Sequence, residues 1–285
     1  MPSRRRARLR AALAGNTCAR TATVWDPVSA RIAEDIGFEV GILAGSIASM
    51  TVLGAPDLIV LTLSELAEQA RRIGRGSELP LFVDADHGYG NALNTMRTIE
   101  ELEAAGVAGM SIEDTELPQP YGLGARQRLI PIEEAAGKMR AAVAARRDPG
   151  LVIAGRTNGR ATDDFADILA RVRAYSAAGV DAIFVVGLRS AEQLAAVAAA
   201  TTLPIIVGGG TPGVSHDGLA AHRVRVSIQP HIAPLAAIQA VHDTLAAQIA
   251  GADPAASVKI APPALVARVT REDDYQRRRK DFAGD

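Results

Sequence analysis

The sequence predicts an α/β fold of the (β/α)₈ TIM-barrel class, followed by a C-terminal helical arm. Three observations predict it. Eight short apolar runs recur along the 285 residues, and segments with apolar residues at three- and four-residue spacing separate them. Several of these segments stop at a glycine just before the next run, where a helix closes in the left-handed conformation. Runs that are apolar on both faces belong to parallel strands covered by helices, and about 250 residues is the usual length of such a barrel.

The elements follow in order. Arg4 to Ala14 reads as an amphipathic first helix ending at Gly15, with its arginines on a solvated face. Ser3-Arg4-Arg5-Arg6 is not read as an export signal, because only Ala11-Ala12-Leu13-Ala14-Gly15 follows it and the required apolar segment is missing. Strands are expected at Thr21–Trp25, Glu39–Leu43, Leu79–Asp84, Val107–Ile112, Leu151–Gly155, Ala182–Val186, Pro204–Val207 and Val224–Ile228. The helices between them are expected at Ser29–Ile36, Leu63–Ile73, Ala92–Ala105, Ile132–Ala145, Asp164–Ala178 and Ala191–Ala199, with Ile232–Ile249 as the last of the barrel. Gly37, Gly106 and Gly179 stand where three of these helices should end. Trp25-Asp26-Pro27 after the first strand carries no glycine fingerprint, which argues against an open dinucleotide-binding sheet. Gly251-Ala252-Asp253-Pro254 then breaks the chain, so residues 1–250 are read as the barrel with its N-terminal helix and residues 251–285 as an arm.

Composition narrows the function. Lys+Arg number 31 against 32 Asp+Glu, a formal net charge of -1, so nothing draws the chain to a polyanion. With aromatics at 4%, stacking platforms for single strands are not expected, and neither nucleic acid nor membrane is a predicted partner. No run approaches the roughly 18 apolar residues of a membrane span. A single cysteine, Cys18, forms no intrachain disulfide, and a reducing, cytoplasmic setting is expected.

In barrels of this class chemistry sits at the C-terminal ends of the strands. The third run ends Asp84-Ala85-Asp86-His87-Gly88-Tyr89-Gly90, and residues i and i+2 of a strand project the same way, so Asp84 and Asp86 are expected together at the mouth. Glu113 ends the neighbouring run, and Asp57, after Ala55-Pro56, adds a further carboxylate. Carboxylates this close repel, and a hard divalent cation such as Mg²⁺ relieves the repulsion with oxygen ligands. Arg156, after Ile153-Ala154-Gly155, either binds a substrate carboxylate or pairs with Glu113. Gly45-Ser46 offers a backbone N–H and a hydroxyl to an oxygen ligand, and His231, directly after the eighth run, is placed at the same mouth. His87 is read as structural. Gly208-Gly209-Gly210 after the seventh run lies where such barrels often hold phosphate.

With these residues in view the chain resembles the isocitrate lyase and phosphoenolpyruvate mutase superfamily, most closely its oxaloacetate decarboxylase branch. The resemblance runs from about Leu9 to Ile249. It is carried by Asp26-Pro27-Val28-Ser29-Ala30-Arg31, Gly45-Ser46, Ala55-Pro56-Asp57, Thr62-Leu63-Ser64-Glu65, Asp84 to Asn91, Ser111-Ile112-Glu113-Asp114 and Ala154-Gly155-Arg156-Thr157-Asn158. It implies Mg²⁺, with Mn²⁺ as the alternative, held by Asp84 with Asp86 and Glu113, directly or through water, and Asp57 further out. It also implies that Gly45, Ser46, Arg156 and His231 contact a 2-oxo acid, Arg156 and His231 catalytically. The arm, Pro262 to Phe282, is implied to swap between paired subunits of a homotetramer. The reaction implied is decarboxylation of oxaloacetate, or a similar 2-oxo dicarboxylate, to pyruvate and CO₂ through a metal-stabilised enolate. The family's carbon–carbon lyases carry a Lys-Lys/Arg-Cys-Gly-His motif after strand four. The mutase and phosphonopyruvate hydrolase branches carry Lys and Asn on that loop. Here it reads Asp114-Thr115-Glu116-Leu117-Pro118-Gln119-Pro120-Tyr121, without Lys, Asn, Cys or His. The branch's tyrosine after strand seven is replaced by the Gly208–Gly210 loop. The alternatives are a methylisocitrate-type lyase, a phosphonopyruvate hydrolase, a barrel enzyme for a phosphorylated substrate, or a non-catalytic 2-oxo-acid-binding protein.

Overall fold

A computed structural model describes residues 2–122, 127–253 and 259–284. The chain divides into two compact units between Pro230 and His231. The first holds strands β1 (Thr21–Thr23), β2 (Val40–Leu43), β3 (Leu81–Asp84), β4 (Gly109–Glu113), β5 (Val152–Asn158), β6 (Ala182–Val186), β7 (Ile205–Gly208) and β8 (Val224–Ile228). Its helices are α1 (Pro2–Ala14), α2 (Pro27–Ile36), α3 (Gly45–Leu53), α4 (Leu63–Gly76), α5 (Ala92–Ala105), α6 (Ile132–Ala145), α7 (Phe165–Ala178), α8 (Ala191–Ala200) and α9 (His216–Ala221). All eight expected strands are present, all parallel, in the order β1 to β8. The ring closes where Ala19 bridges Val226 in parallel and the Thr21 hydroxyl donates to the Ser227 carbonyl at 2.8 Å. This is the (β/α)₈ barrel that the sequence predicts.

Two cores follow from the two-residue period of a strand. Val40 and Ile42, Val152 and Ala154, Ala182 and Phe184, and Val226 and Ile228 alternate inward and fill the barrel with Phe82 and Ile206. Leu43, Val83, Ile112, Ile153, Val185 and Val207 alternate outward and meet the helices.

Helix α1 corrects the expectation of a solvated basic face. Its Leu9 and Leu13 join the inner core. Arg5 and Arg6 are each only 5% exposed. Arg5 donates to the carbonyls of Gly74, Ser77 and Gly106, and Arg6 to those of Glu103 and Val107 and to Asp148. Carbonyls left unsatisfied where α4 and α5 end are negative acceptors for a guanidinium. The helix therefore plugs the barrel at the strands' N-terminal ends.

Two motifs behind the resemblance turn out to start helices. Asp26 caps α2, accepting from the Ser29 N–H at 2.6 Å, and Thr62 with Glu65 forms a capping box on α4. Gly37, Gly106 and Gly179 end α2, α5 and α7 as expected. Helices α3 and α9 were not expected.

The second unit holds α10 (Ile232–Ile249), α11 (Pro263–Thr270) and α12 (Glu272–Phe282). The arm is thus helical, and α10, which the sequence reading counts with the barrel, falls in this unit. Of the expected break, Pro254 lies outside the described residues. Ile232, Leu235, Ile238, Val241, Leu245 and Ile249 are all exposed along α10. Among the described residues no helix is long and apolar enough to cross a membrane.

Candidate active site

Inward alternation carries polar residues to the C-terminal end of the barrel. Asp84 continues the inward series from Phe82, Glu113 from Ser111, and Arg156 from Ala154. The strand register sets Asp84 beside Ser111, Glu113 beside Arg156 and Arg156 beside Phe184. One carboxylate oxygen of Asp84 accepts from the Ser111 hydroxyl at 3.0 Å, and the other pairs closely with Arg156 Nη1. Arg156 Nε lies 3.1 Å from Glu113 Oε2, within ion-pair range, yet too poorly aligned for a hydrogen bond. The guanidinium stands 5.3 Å from the centre of the Phe184 ring, a cation–π contact. Of the two roles expected for Arg156, pairing with Glu113 is therefore observed, and Asp84 is a second partner.

Asp86 reaches the same place by another route. The strand stops at Asp84, so the expected i, i+2 projection does not apply. Residues after it form a turn in which Asp86 takes φ 46°, a left-handed conformation that Asp tolerates better than most residues. The turn is pinned to β4 by the Glu113 N–H donating to the Asp86 carbonyl at 2.8 Å. It sets the Asp86 carboxylate against α3. A Cβ on Gly45 would lie 2.6 Å from Asp86 Oδ1 and 2.9 Å from Oδ2, so a side chain there would displace the carboxylate. Helix α3 starts at Ala44 without a side-chain cap. Its first N–H groups, including those of Gly45 and Ser46, form the positive end of a helix facing a carboxylate.

Charge in the site is unbalanced. Asp57, Asp84, Asp86 and Glu113 interact with one another around the Arg156 guanidinium, the one that they meet among the described residues, and Lys138 also acts on Glu113. Burial, then Asp84, Glu113 and Asp57, hold the Asp86 carboxyl well above its ordinary range. Burial pushes Glu113 up to about 7, with Asp84 and Asp57 opposing the relief that Arg156 gives. Burial and Asp84 raise Asp57, on the exposed loop after α3. Burial alone would lower Arg156, but Asp84 and Glu113 more than reverse it.

These residues suit a hard cation in one respect and are not yet arranged for it in another. The donors are all oxygens, negative charge is in excess, and among the described residues no side-chain hydrogen bond or ion pair ties the Asp86 carboxylate. Oxygen donors in excess are the chemistry that Mg²⁺ takes. Among the described residues, however, no group of three or more His, Cys, Asp or Glu side chains stands ready to hold an ion. Arg156 lies between Asp84 and Glu113 and engages them both. What converges is a carboxylate–guanidinium array.

The other expected residues divide. Ser46 sits half-buried in the first turn of α3, next to Gly45 in the chain. His231 opens the second unit at the N-cap position of α10, without capping it through its side chain. His87, read as structural, is 5% exposed, and its carbonyl accepts from Lys138 Nζ. Burial and Lys138 push its ring down to about 4, so it is neutral at pH 7. Sequence reasoning gave no role to Ser111, Phe184 or Tyr89. The Tyr89 hydroxyl is buried without a partner, and burial, Asp86 and Asp84 raise it above its ordinary range. The inward period of β4 and β6 was the available signal for Ser111 and Phe184, and only the fold shows which strand ends face them.

Known proteins resemble this chain over nearly its whole length. The chain is 53% identical over 281 residues to an oxaloacetate decarboxylase of Rhodopseudomonas palustris, covering 98% of this chain and 97% of that protein. A phosphoenolpyruvate phosphomutase from Streptomyces platensis subsp. rosaceus superposes with TM-score 0.87 at 30% identity, over 98% of this chain and 99% of that one. A phosphonopyruvate hydrolase in complex with oxalate and Mg²⁺ gives TM-score 0.87 at 25% identity, over 98% of this chain and 99% of that one. The family model for phosphoenolpyruvate phosphomutase matches residues 9–250. With a barrel whose strand ends gather acids and one arginine, and with that match across most of its length, this chain belongs to the phosphoenolpyruvate phosphomutase family, in the PEP mutase/isocitrate lyase superfamily.

Proposed function

We propose that this chain decarboxylates oxaloacetate, or a closely similar 2-oxo dicarboxylate, to pyruvate and CO₂. Its cation is Mg²⁺ or Mn²⁺, held by Asp84, Asp86 and Glu113 with Asp57 further out. The observation that carries the reading is the excess of carboxylates around one guanidinium at the barrel mouth. Several relatives named oxaloacetate decarboxylase, near 50% identical over almost the whole chain, support the reaction. A related hydrolase that binds oxalate with Mg²⁺ supports the cation.

When bound, such a cation supplies Lewis-acid stabilisation of negative charge developing on a keto oxygen, a contribution of several kcal/mol. The chain's own residues orient the substrate. Arg156 offers a planar fork matched to a carboxylate, and the Gly45 and Ser46 N–H groups with the Ser46 hydroxyl offer donors at the positive end of α3. The bond between the substrate's third carbon and its distal carboxylate breaks, and its electron pair passes towards the 2-oxo group. His231 orients the departing carboxylate or returns a proton to that carbon. The segment after β4 carries no Lys, Asn, Cys or His from Asp114 to Pro131, so it holds none of the acid–base groups of the related lyases and hydrolases.

The test is CO₂ release from oxaloacetate. Purified protein should turn it over, lose activity in EDTA, and regain it with Mg²⁺ or Mn²⁺. Turnover that ignores the chelator sinks the metal assignment. Oxalate binding without turnover would leave a binding protein. Products from 2-methylisocitrate or phosphonopyruvate, with none from oxaloacetate, would move the chain to another superfamily reaction.

The surface of α10 supports the expected assembly. Six exposed apolar side chains at three- and four-residue spacing form one stripe, the kind of surface that another copy of the chain covers. The proposed assembly is a homotetramer with its helical arm exchanged, in the cytoplasm. Light scattering should give a native mass four times that of the chain, and a monomer would overturn it.

A further inference from the structure

Behind Glu113 and Arg156, on the outward face of the barrel, a second polar cluster is buried among the helices. Asp114 follows Glu113, alternates away from the mouth, and is wholly buried. Arg171 and Tyr175 stand one helical turn apart on α7, and both reach it. Arg171 Nη1 donates to Asp114 Oδ2 at 3.1 Å, and the Tyr175 hydroxyl donates to the same oxygen.

The cluster also holds the chain on either side. Arg171 Nη1 donates to the Ile130 carbonyl at 2.9 Å, and its Nε to Asp167 at 2.8 Å. The Ile130 N–H donates to the Asp114 carbonyl at 2.9 Å, and the Glu116 N–H to the Arg128 carbonyl at 2.8 Å. With the antiparallel bridge between Thr115 and Leu129, the segment leaving β4 and the segment returning to α6 form a narrow neck. On the β5 side the Tyr175 ring lies against Gly155. A Cβ there would come within 3.1 Å of Tyr175 Cβ and Cδ2, so a side chain before Arg156 would press on that ring. One buried cluster thus touches the residue after Glu113, the residue before Arg156, and the return of the loop between β4 and α6.

We propose that Asp114, Arg171 and Tyr175 are positioning residues, which set the Glu113–Arg156 pair and the neck of the following loop from outside the barrel. The proposal rests on the reading of Glu113 and Arg156 as working parts of the site. Two conservative variants test it. Tyr175→Phe keeps the ring against Gly155 and removes one hydrogen bond; Arg171→Lys keeps the charge and loses the fork. Small displacements of reacting groups cost rate steeply. Each variant should therefore lower the decarboxylation rate about tenfold or more, mainly in kcat with KM little changed. Amide exchange at Glu116 and Ile130 should speed up in both. Val197→Ala, a buried cut in α8, which contributes no residue to the cluster, serves as a control for general loss of stability. It should leave kcat and those two amides unchanged.

Wild-type kcat in both variants, or an equal kcat loss in Val197→Ala, overturns the proposal. If the wild-type chain releases no CO₂ from oxaloacetate, the functional reading fails on its own. Exchange at Glu116 and Ile130 then decides the clamp, and rates unchanged from wild type reject it.

Discussion

An Asp84→Asn variant is expected to lose at least about a thousandfold in oxaloacetate turnover while remaining folded. The amide keeps the volume and can still accept from the Ser111 hydroxyl, which stands 3.0 Å away in the native protein. It removes the charge that meets Arg156 and the donor placed deepest on the β3 strand end. If a cation contributes several kcal/mol, and each 1.4 kcal/mol or so is a factor of ten, losing its main ligand removes about three powers of ten. Stability should fall as well, because breaking one partner of a buried pair costs about 3–5 kcal/mol. The lower end applies here, since Arg156 keeps Glu113 and its side chain is 18% exposed. Steady-state CO₂ release gives the rate, and calorimetric titration with Mg²⁺ gives the affinity. Turnover within about tenfold of wild type would remove Asp84 from the chemistry.

The second large effect is expected at Arg156. In Arg156→Lys the charge is kept, yet an ammonium cannot meet Asp84, Glu113 and a substrate carboxylate in one plane as a guanidinium can. The contact over Phe184 also changes, because Arg stacks on a ring in a way that Lys does not. Loss of about a hundredfold in kcat/KM is expected, within the range found when one preorganised donor to developing charge is removed. Arg156→Met should lose more, and Asp84 and Glu113 would then repel without relief. Kinetics on both variants separate two roles. A lysine enzyme within about threefold of wild type means that Arg156 only neutralises its neighbours, whereas the larger loss means that it holds substrate.

The strands were legible because each run is apolar on both faces, and the inward series of β5, Val152, Ala154 and Arg156, leads from core to mouth without a break. Other parts were not, for identifiable reasons. Helix α3 carries Gly-Ser at its start, β-branched residues along its length and no side-chain cap, so nothing local announces it. Helix α9 is too short, at six residues, to show a period. Strand alternation places Asp86 with Asp84, and it arrives instead through a left-handed turn. Arg5 and Arg6 looked like surface charges, because the carbonyls that satisfy them belong to residues from Gly74 to Val107. Asp114, next to the one acid that sequence reasoning chose on β4, turned out to face the other way and to hold α7.

The stopper made by Leu9 and Leu13 has one more consequence. With hydrocarbon filling that end, polar chemistry is left to the opposite rim, where the acids and Arg156 stand.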